Sequence, residues 1–325
     1  MQMPDAPTIP DAPPPRRARA ARPTPGAPGT PVPAAHPRLT TALLVSMAVI
    51  WGVNYSVVKF GASGIAPLAF NGLRVGLAAV VLLTLAALGG APRPTRADAL
   101  ALLGLGVLGN GLYQLFFILG IARTSAGTTA LLLAASPAFV AIVGRVLGVE
   151  RVRSRGWAAI ALQLAGMGFV VLGAARAGGA HAGSSRLTGA IILLFACLCW
   201  ASYTVLLRQY TLRVDPIRLS ALTMVGGAVP LLVVAAPALA SVTWRAVPLG
   251  VWGAVAYSGL LALVLAYLFW YRGIRTLGPT RTAMFGNLQP IIALVVAWAW
   301  LHEVPTPWQG IGAVGIVAGL VLSSL

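Results

Sequence analysis

One segment of this chain occurs twice. Residues 119–152 read LGIARTSAGTTALLLAASPAFVAIVGRVLGVERV, and residues 272–305 read RGIRTLGPTRTAMFGNLQPIIALVVAWAWLHEVP. Aligned without a gap, Gly120 meets Gly273, Thr129 meets Thr282, Ala130 meets Ala283, Pro137 meets Pro290 and Glu150 meets Glu303. In each copy a proline interrupts a long apolar run and a glutamate follows thirteen residues later. A repeated apolar helix with one proline inside and one acid at its end predicts a membrane protein built from two related halves. That architecture points towards transport before any substrate is considered.

Composition agrees. Hydrophobic residues make up 58% of the 325 residues and charged residues 9%, whereas a soluble domain carries about 25% charged residues. A bilayer span needs about 20 apolar residues. A transmembrane barrel would alternate in polarity, but these runs are apolar on every face, so the expected class is an all-α membrane protein. The net charge of +17 does not indicate a nucleic-acid partner. The arginines form no aromatic-interleaved patch; they sit in the N-terminal tail and at the ends of apolar runs, where they orient helices. Cys197 and Cys199, two apart on a helix, point to nearly opposite sides and read as packing residues. His36, His181 and His302 are scattered. Neither a metal site nor a cofactor is expected.

Residues 1–38 hold half of the prolines and five arginines, and read as a disordered cytoplasmic tail. Ten apolar runs follow, at about 39–60, 66–88, 97–120, 124–147, 155–173, 187–208, 216–237, 247–271, 280–301 and 307–324. The longest connection, 174–186, joins the two halves. With a cytoplasmic N-terminus, the inner segments hold about four times as many arginines as the outer loops, which carry Arg123, Arg176, Arg186 and Arg245. This asymmetry predicts that both termini are cytoplasmic and the 174–186 linker external. Five helices per half is odd, so the halves are expected to be inverted. The stretch Trp51–Lys59 matches Trp200–Arg208, Pro67 matches Pro216, and Trp157 matches Trp308.

Trp51-Gly52 with Asn54, the stretch from Pro67 to Arg74, and the two proline-to-glutamate segments carry a resemblance. The chain is similar to bacterial members of the drug/metabolite transporter superfamily of the type with two EamA domains. The resemblance covers nearly everything after residue 38, with a first repeat at 39–173 and a second at 187–325. It implies ten helices as a 5+5 inverted repeat, exporter-like metabolite transport, and a central cavity lined by helices 1, 3, 4, 6, 8 and 9. The first copy departs in one respect: Ser136 precedes Pro137 where Gln289 precedes Pro290.

Polar groups in apolar helices need a reason to be there, because burying them unpaired costs several kcal/mol. Helix 1 offers Trp51, Asn54 and Tyr55, and helix 6 the matching Trp200, Tyr203 and Thr204. Helix 3 offers Asn110, Tyr113, Gln114 and Phe117. Helix 8 carries Tyr257, Tyr267, Trp270 and Tyr271, and helix 9 Asn287 and Gln289. One reading is an aromatic-walled cavity with a few amides that orient a small solute; the other is hydrogen bonding between helices. Arg74 lies about 12 Å into helix 2 at 1.5 Å per residue, too deep for easy snorkelling. It is either a lock between helices or a solute contact. Lys59, nearer its helix end, is expected to reach the headgroups. Pro137 and Pro290 each free a carbonyl, for a gating kink or a static one. Glu150 and Glu303 stand at helix C-terminal ends, which the macrodipole disfavours; Arg151 or Arg155 could offset that at Glu150, but Glu303 has no arginine near it in sequence.

Two motif matches are packing features. Gly104-Leu-Gly-Val-Leu-Gly109 follows no strand, so it is not a nucleotide loop. Gly315-Ile-Val-Ala-Gly319 is expected to pack within one chain rather than make a dimer. There is no P-loop, which argues against ATP-driven transport by this chain alone, and no catalytic constellation, which argues against an intramembrane lipid-modifying enzyme. None of the acids Asp5, Asp11, Asp98, Glu150, Asp215 and Glu303 falls near a midplane, which disfavours proton-for-cation exchange. The sequence therefore reads as an inner-membrane secondary transporter, monomeric or homodimeric, whose partners are the lipid bilayer and a small solute such as an amino acid. A drug or nucleotide-sugar carrier of the same fold is the alternative.

Overall fold

The polypeptide is present as a computed structural model that describes residues 37–148, 154–176, 179–277, 282, 285–286 and 288–324. Among these residues there is no strand. Ten principal helices follow one another: α1 (Pro37–Gly64), α2 (Pro67–Leu88), α3 (Arg96–Arg123), α4 (Ala126–Val146), α5 (Ser154–Arg176), α6 (Gly179–Thr211), α7 (Pro216–Ala240), α8 (Leu249–Gly273), α9 (Gln289–Leu301) and α10 (Pro307–Ser324). The helices α1 to α8 are each long and apolar enough to cross a membrane. Pro67, Pro216 and Pro307 each open a helix, where the missing N–H costs nothing and the fixed φ suits the first turn. Asp215 accepts from the N–H groups of Ile217 and Arg218 at 3.0 and 3.3 Å, capping α7, and Thr95 accepts from Asp98 N, capping α3.

Two departures from the sequence expectation stand out. The 174–186 connection is mostly helical: α5 runs to Arg176 and α6 starts at Gly179. Ala174, Ala175, Ala180 and Ala182 are strong helix formers and outweigh the loop signal of the glycines. In the ninth apolar run Leu288 forms a turn and the described helix covers Gln289–Leu301. Asn287, Glu150 and the tail before Pro37 lie outside the described residues.

The helices pair in a regular way. α2 lies on α7 and α5 on α10; α1 packs against α8 and α9, as α6 packs against α3 and α4. Small residues set the closest approaches. A Cβ on Gly106 would stand 2.1 Å from Thr223 O on α7, so the middle glycine of the GxGxxG match lets two backbones touch. A Cβ on Gly319 would stand 2.7 Å from Ala159 O, so the GxxxG match seats α10 on α5 of the same chain.

α3 and α8 each contain a widened π-helical stretch, Val107–Leu112 and Tyr257–Leu265. The offset that carries Gly120 onto Gly273 carries 107–112 onto 260–265, inside the second stretch. Such stretches leave carbonyls free for other donors and recur at functional sites.

Candidate functional site

A cavity of about 310 Å³ opens in the middle of the bundle. Trp51, Asn54 and Tyr55 of α1 line it, with Tyr113, Gln114 and Phe117 of α3, Pro137 of α4, Trp200 of α6, Tyr267 and Trp270 of α8, and Gln289 and Pro290 of α9. These are the six helices that the family resemblance implies. α2 adds one side chain, Arg74.

Aromatic rings make the wall continuous. Trp51 and Trp200, the repeat-related pair, both meet Tyr267 edge-on, at 5.7 and 6.1 Å between centroids. Tyr113 sits 5.1 Å from Trp200 and 5.9 Å from Phe117, which in turn lies 6.1 Å from Tyr55. Edge-to-face and offset contacts at these distances fix ring orientations. The π-helical stretch of α8 contributes directly: Trp51 Nε1–H donates to Ala262 O at 2.9 Å. On α9, Gln289 Oε1 faces the Tyr55 hydroxyl at 3.4 Å.

Arg74 is almost fully buried. Its Nε–H donates to Asn71 Oδ1 at 2.8 Å, Nη1 to Ser258 Oγ at 2.9 Å, and Nη2 to Gln114 Oε1. Asn71 Nδ2 donates to Gln114 O at 3.0 Å, and the guanidinium carbon lies 5.3 Å from the Phe117 ring centre. The arginine thus ties α2, α3 and α8 together while forming part of the cavity wall. Asn71 carries a signal readable in sequence, since it stands three residues before Arg74 on the same helical face. Ser258 carries none.

Pro137 interrupts α4 at Ala135 and leaves the Leu133 carbonyl without its helical donor. The Ser136 hydroxyl donates to that carbonyl. This gives the Ser136-for-Gln289 departure a physical reason: a serine here heals the break locally.

Tyr203 is brought close but does not line the cavity. Its ring packs where a Cβ on Gly109 would be, 2.3 Å away, and its hydroxyl bonds that of Tyr271 at 3.0 Å. Glycine on α3 lets the ring slip behind the wall, leaving Trp200 as the α6 side chain in front. Lys59 does not reach headgroups. Its Nζ donates to Ile121 O, Ala122 O and Thr124 O at 2.9, 3.2 and 2.6 Å, the unpaired carbonyls at the end of α3. Glu303 finds its partner at another helix. His302, with φ 54°, turns the chain out of α9, and the carboxylate accepts from Ala126 N and Gly127 N at 3.1 and 3.2 Å. A cation at a helix C-terminus and an acid at an N-terminus both match the macrodipole.

A bundle of apolar helices around a central chamber with aromatic walls defines a polytopic membrane protein with a solute-sized interior. The chain belongs to the EamA-like transporter family, whose model matches residues 39–172 and 187–325, and it is a transporter of that type. It is 29% identical over 87% of its length to the "Uncharacterized transporter YyaM" of Bacillus subtilis, of which the match covers 92%. It is 28% identical over 86% of its length to the "Probable terminal-alkyne amino-acid exporter" of Streptantibioticus cattleyicolor, with 91% of that protein covered. The "Uncharacterized inner membrane transporter YedA" of Escherichia coli K12 is also 28% identical, over 87% of this chain and 89% of its own. A crystal structure superposes with a TM-score of 0.63 over 88% of this chain and 97% of its own at 17% identity, a likeness of fold.

Proposed function

We propose that the protein is a secondary transporter that exports a small metabolite, an amino acid or related solute, across the cytoplasmic membrane by alternating access. The single observation that carries this reading is the chamber, to which repeat-related residues of both segments contribute, Trp51 with Trp200 and Pro137 with Pro290. Aromatic surface with a few amides and one cation is how pockets take small polar solutes. The S. cattleyicolor relative, named as an amino-acid exporter, supports the choice of solute.

The two halves, 39–173 and 187–325, act as inverted five-helix repeats with both termini cytoplasmic. The helix pairing supports this, because exchanging the halves maps the α2–α7 and α5–α10 pairs onto themselves and the packing of α1 on α8 and α9 onto that of α6 on α3 and α4. The arginine asymmetry supports the orientation. Inverted halves can swap conformations, and that opens the chamber to one side at a time.

The test is uptake into proteoliposomes of the purified full chain, with and without imposed proton or sodium gradients. Saturable uptake of amino acids or related metabolites is expected. A chain that moves only drugs or nucleotide sugars would replace the solute assignment; a chain that moves nothing would sink the reading.

A further inference from the structure

The largest fully buried side chain among the described residues is a cation, Arg74. A buried charge is ordinarily paired, because desolvation otherwise penalises it heavily. Here every hydrogen-bond acceptor is neutral: the Asn71 amide, the Ser258 hydroxyl and the Gln114 amide. The acids among the described residues are occupied elsewhere. Asp98 pairs with Arg213 at 2.7 Å, Asp215 caps α7, and Glu303 caps α4. Each terminal nitrogen of a guanidinium has two N–H groups. Each makes one hydrogen bond here, so one N–H on each nitrogen has no acceptor among the described residues.

Asn54 supplies a second, independent observation. It is 8% exposed, its Oδ1 has no partner, and neither side-chain atom bonds any described residue. It lines the same chamber. A buried amide left unbonded in an apolar bundle is costly unless something else completes it.

We propose that Arg74 seats the carboxylate of the transported solute, and that the Asn54 amide bonds a second polar group on the same molecule. The solute class is then a small carboxylate with an amino or hydroxyl substituent. This rests on the transport reading above. The planar fork suits a carboxylate better than a point charge would. Phe117 covers one guanidinium face, keeping water off it. A cationic solute without a carboxylate meets a like charge in this chamber and is rejected.

The test uses the full chain in proteoliposomes with a panel of proteinogenic amino acids, their amides, the amines lacking the carboxylate, and the acids lacking the amino group. Uptake confined to members with a carboxylate is expected. For a transported amino acid, Arg74→Gln raises KM at least tenfold, while Arg74→Lys gives a smaller rise. If Arg74→Gln does not fold, competition on the unaltered protein decides: the amino acid competes at least tenfold better than its amide. Equal competition by the two, an unchanged KM in Arg74→Gln, or uptake only of amides and amines overturns the proposal and leaves the transport reading standing. Equal competition by the acid lacking the amino group overturns the role given to Asn54. No uptake of any solute overturns both readings.

Discussion

At the scale of single residues, the chamber separates side chains that complete themselves from those that do not. Ser136, Tyr203 and Trp51 are satisfied within the protein; Asn54 is not. Substitutions should sort accordingly. Asn54→Ala is expected to weaken affinity for a transported solute about 2- to 12-fold, one hydrogen bond at roughly 0.5–1.5 kcal/mol, with normal amounts of folded protein. Concentration dependence of uptake, with membrane content measured alongside, checks it. Tyr203→Phe should do the opposite. It removes the hydroxyl bonded to Tyr271 behind the wall, so stability falls by about 0.5–1.5 kcal/mol while KM stays put. A changed KM in Tyr203→Phe would place that ring in the solute path. The sequence made Tyr203 look equivalent to its repeat partner Asn54. What it hid was Gly109, whose missing side chain lets the ring retreat.

At the scale of elements, the sharp connection between α3 and α4 is held by charge. Lys59, from α1, closes the carbonyl end of α3, and Glu303, from beyond α9, closes the amide end of α4. Gln309 adds a bond from its Nε2 to Thr128 Oγ1 at 2.7 Å. Each charged group placed at a helix terminus in partly buried surroundings is worth up to about 2 kcal/mol. Glu303→Ala should therefore lower the thermal midpoint of the purified protein in detergent by several degrees. Glu303→Gln should lower it less, because an amide oxygen still accepts one of the two N–H groups. Equal midpoints for all three proteins would show that the carboxylate contributes nothing. Lys59 and Glu303 could be seen in the sequence only as charges near helix ends. Their partners lie 62 to 65 and 176 to 177 residues away, and no local pattern reveals a cap supplied from such a distance. The π-helical stretches were hidden for a related reason: nothing in Gly109-Asn110-Gly111 or Tyr257-Ser258-Gly259 distinguishes a widened helix from an ordinary one. The helices themselves were legible, since apolar length and proline starts are local properties.

At the scale of the whole molecule, the sequence repeat matched Trp51 with Trp200 and Pro137 with Pro290, residues that share the chamber, but it did not say which helices pack together. The sequence also singled out the large polar and aromatic residues of the chamber wall, though not its small apolar ones such as Ala130, Leu133 and Val140. Large polar or aromatic residues inside apolar runs have few places to go except a shared interior. It did not reveal which of them were already bonded to a neighbour. Orientation across the membrane is the remaining whole-molecule property that the arginine distribution speaks to. In a background with Cys197 and Cys199 replaced by alanine and serine, single cysteines at Ser184 and at Ser154 report the two ends of α5 and α6. Both positions are exposed. A membrane-impermeant maleimide added to intact cells should label Ser184→Cys and leave Ser154→Cys untouched until the membrane is permeabilised. Because α5, which begins at Ser154, separates that residue from the connection to α6, the two sites must lie on opposite faces if α5 crosses the bilayer. Labelling of both, or of neither, would therefore contradict the crossing itself. The reversed pattern would keep the crossing and invert the molecule. The arginine-rich ends would then face outwards, and the orientation proposed from the arginine asymmetry would fail.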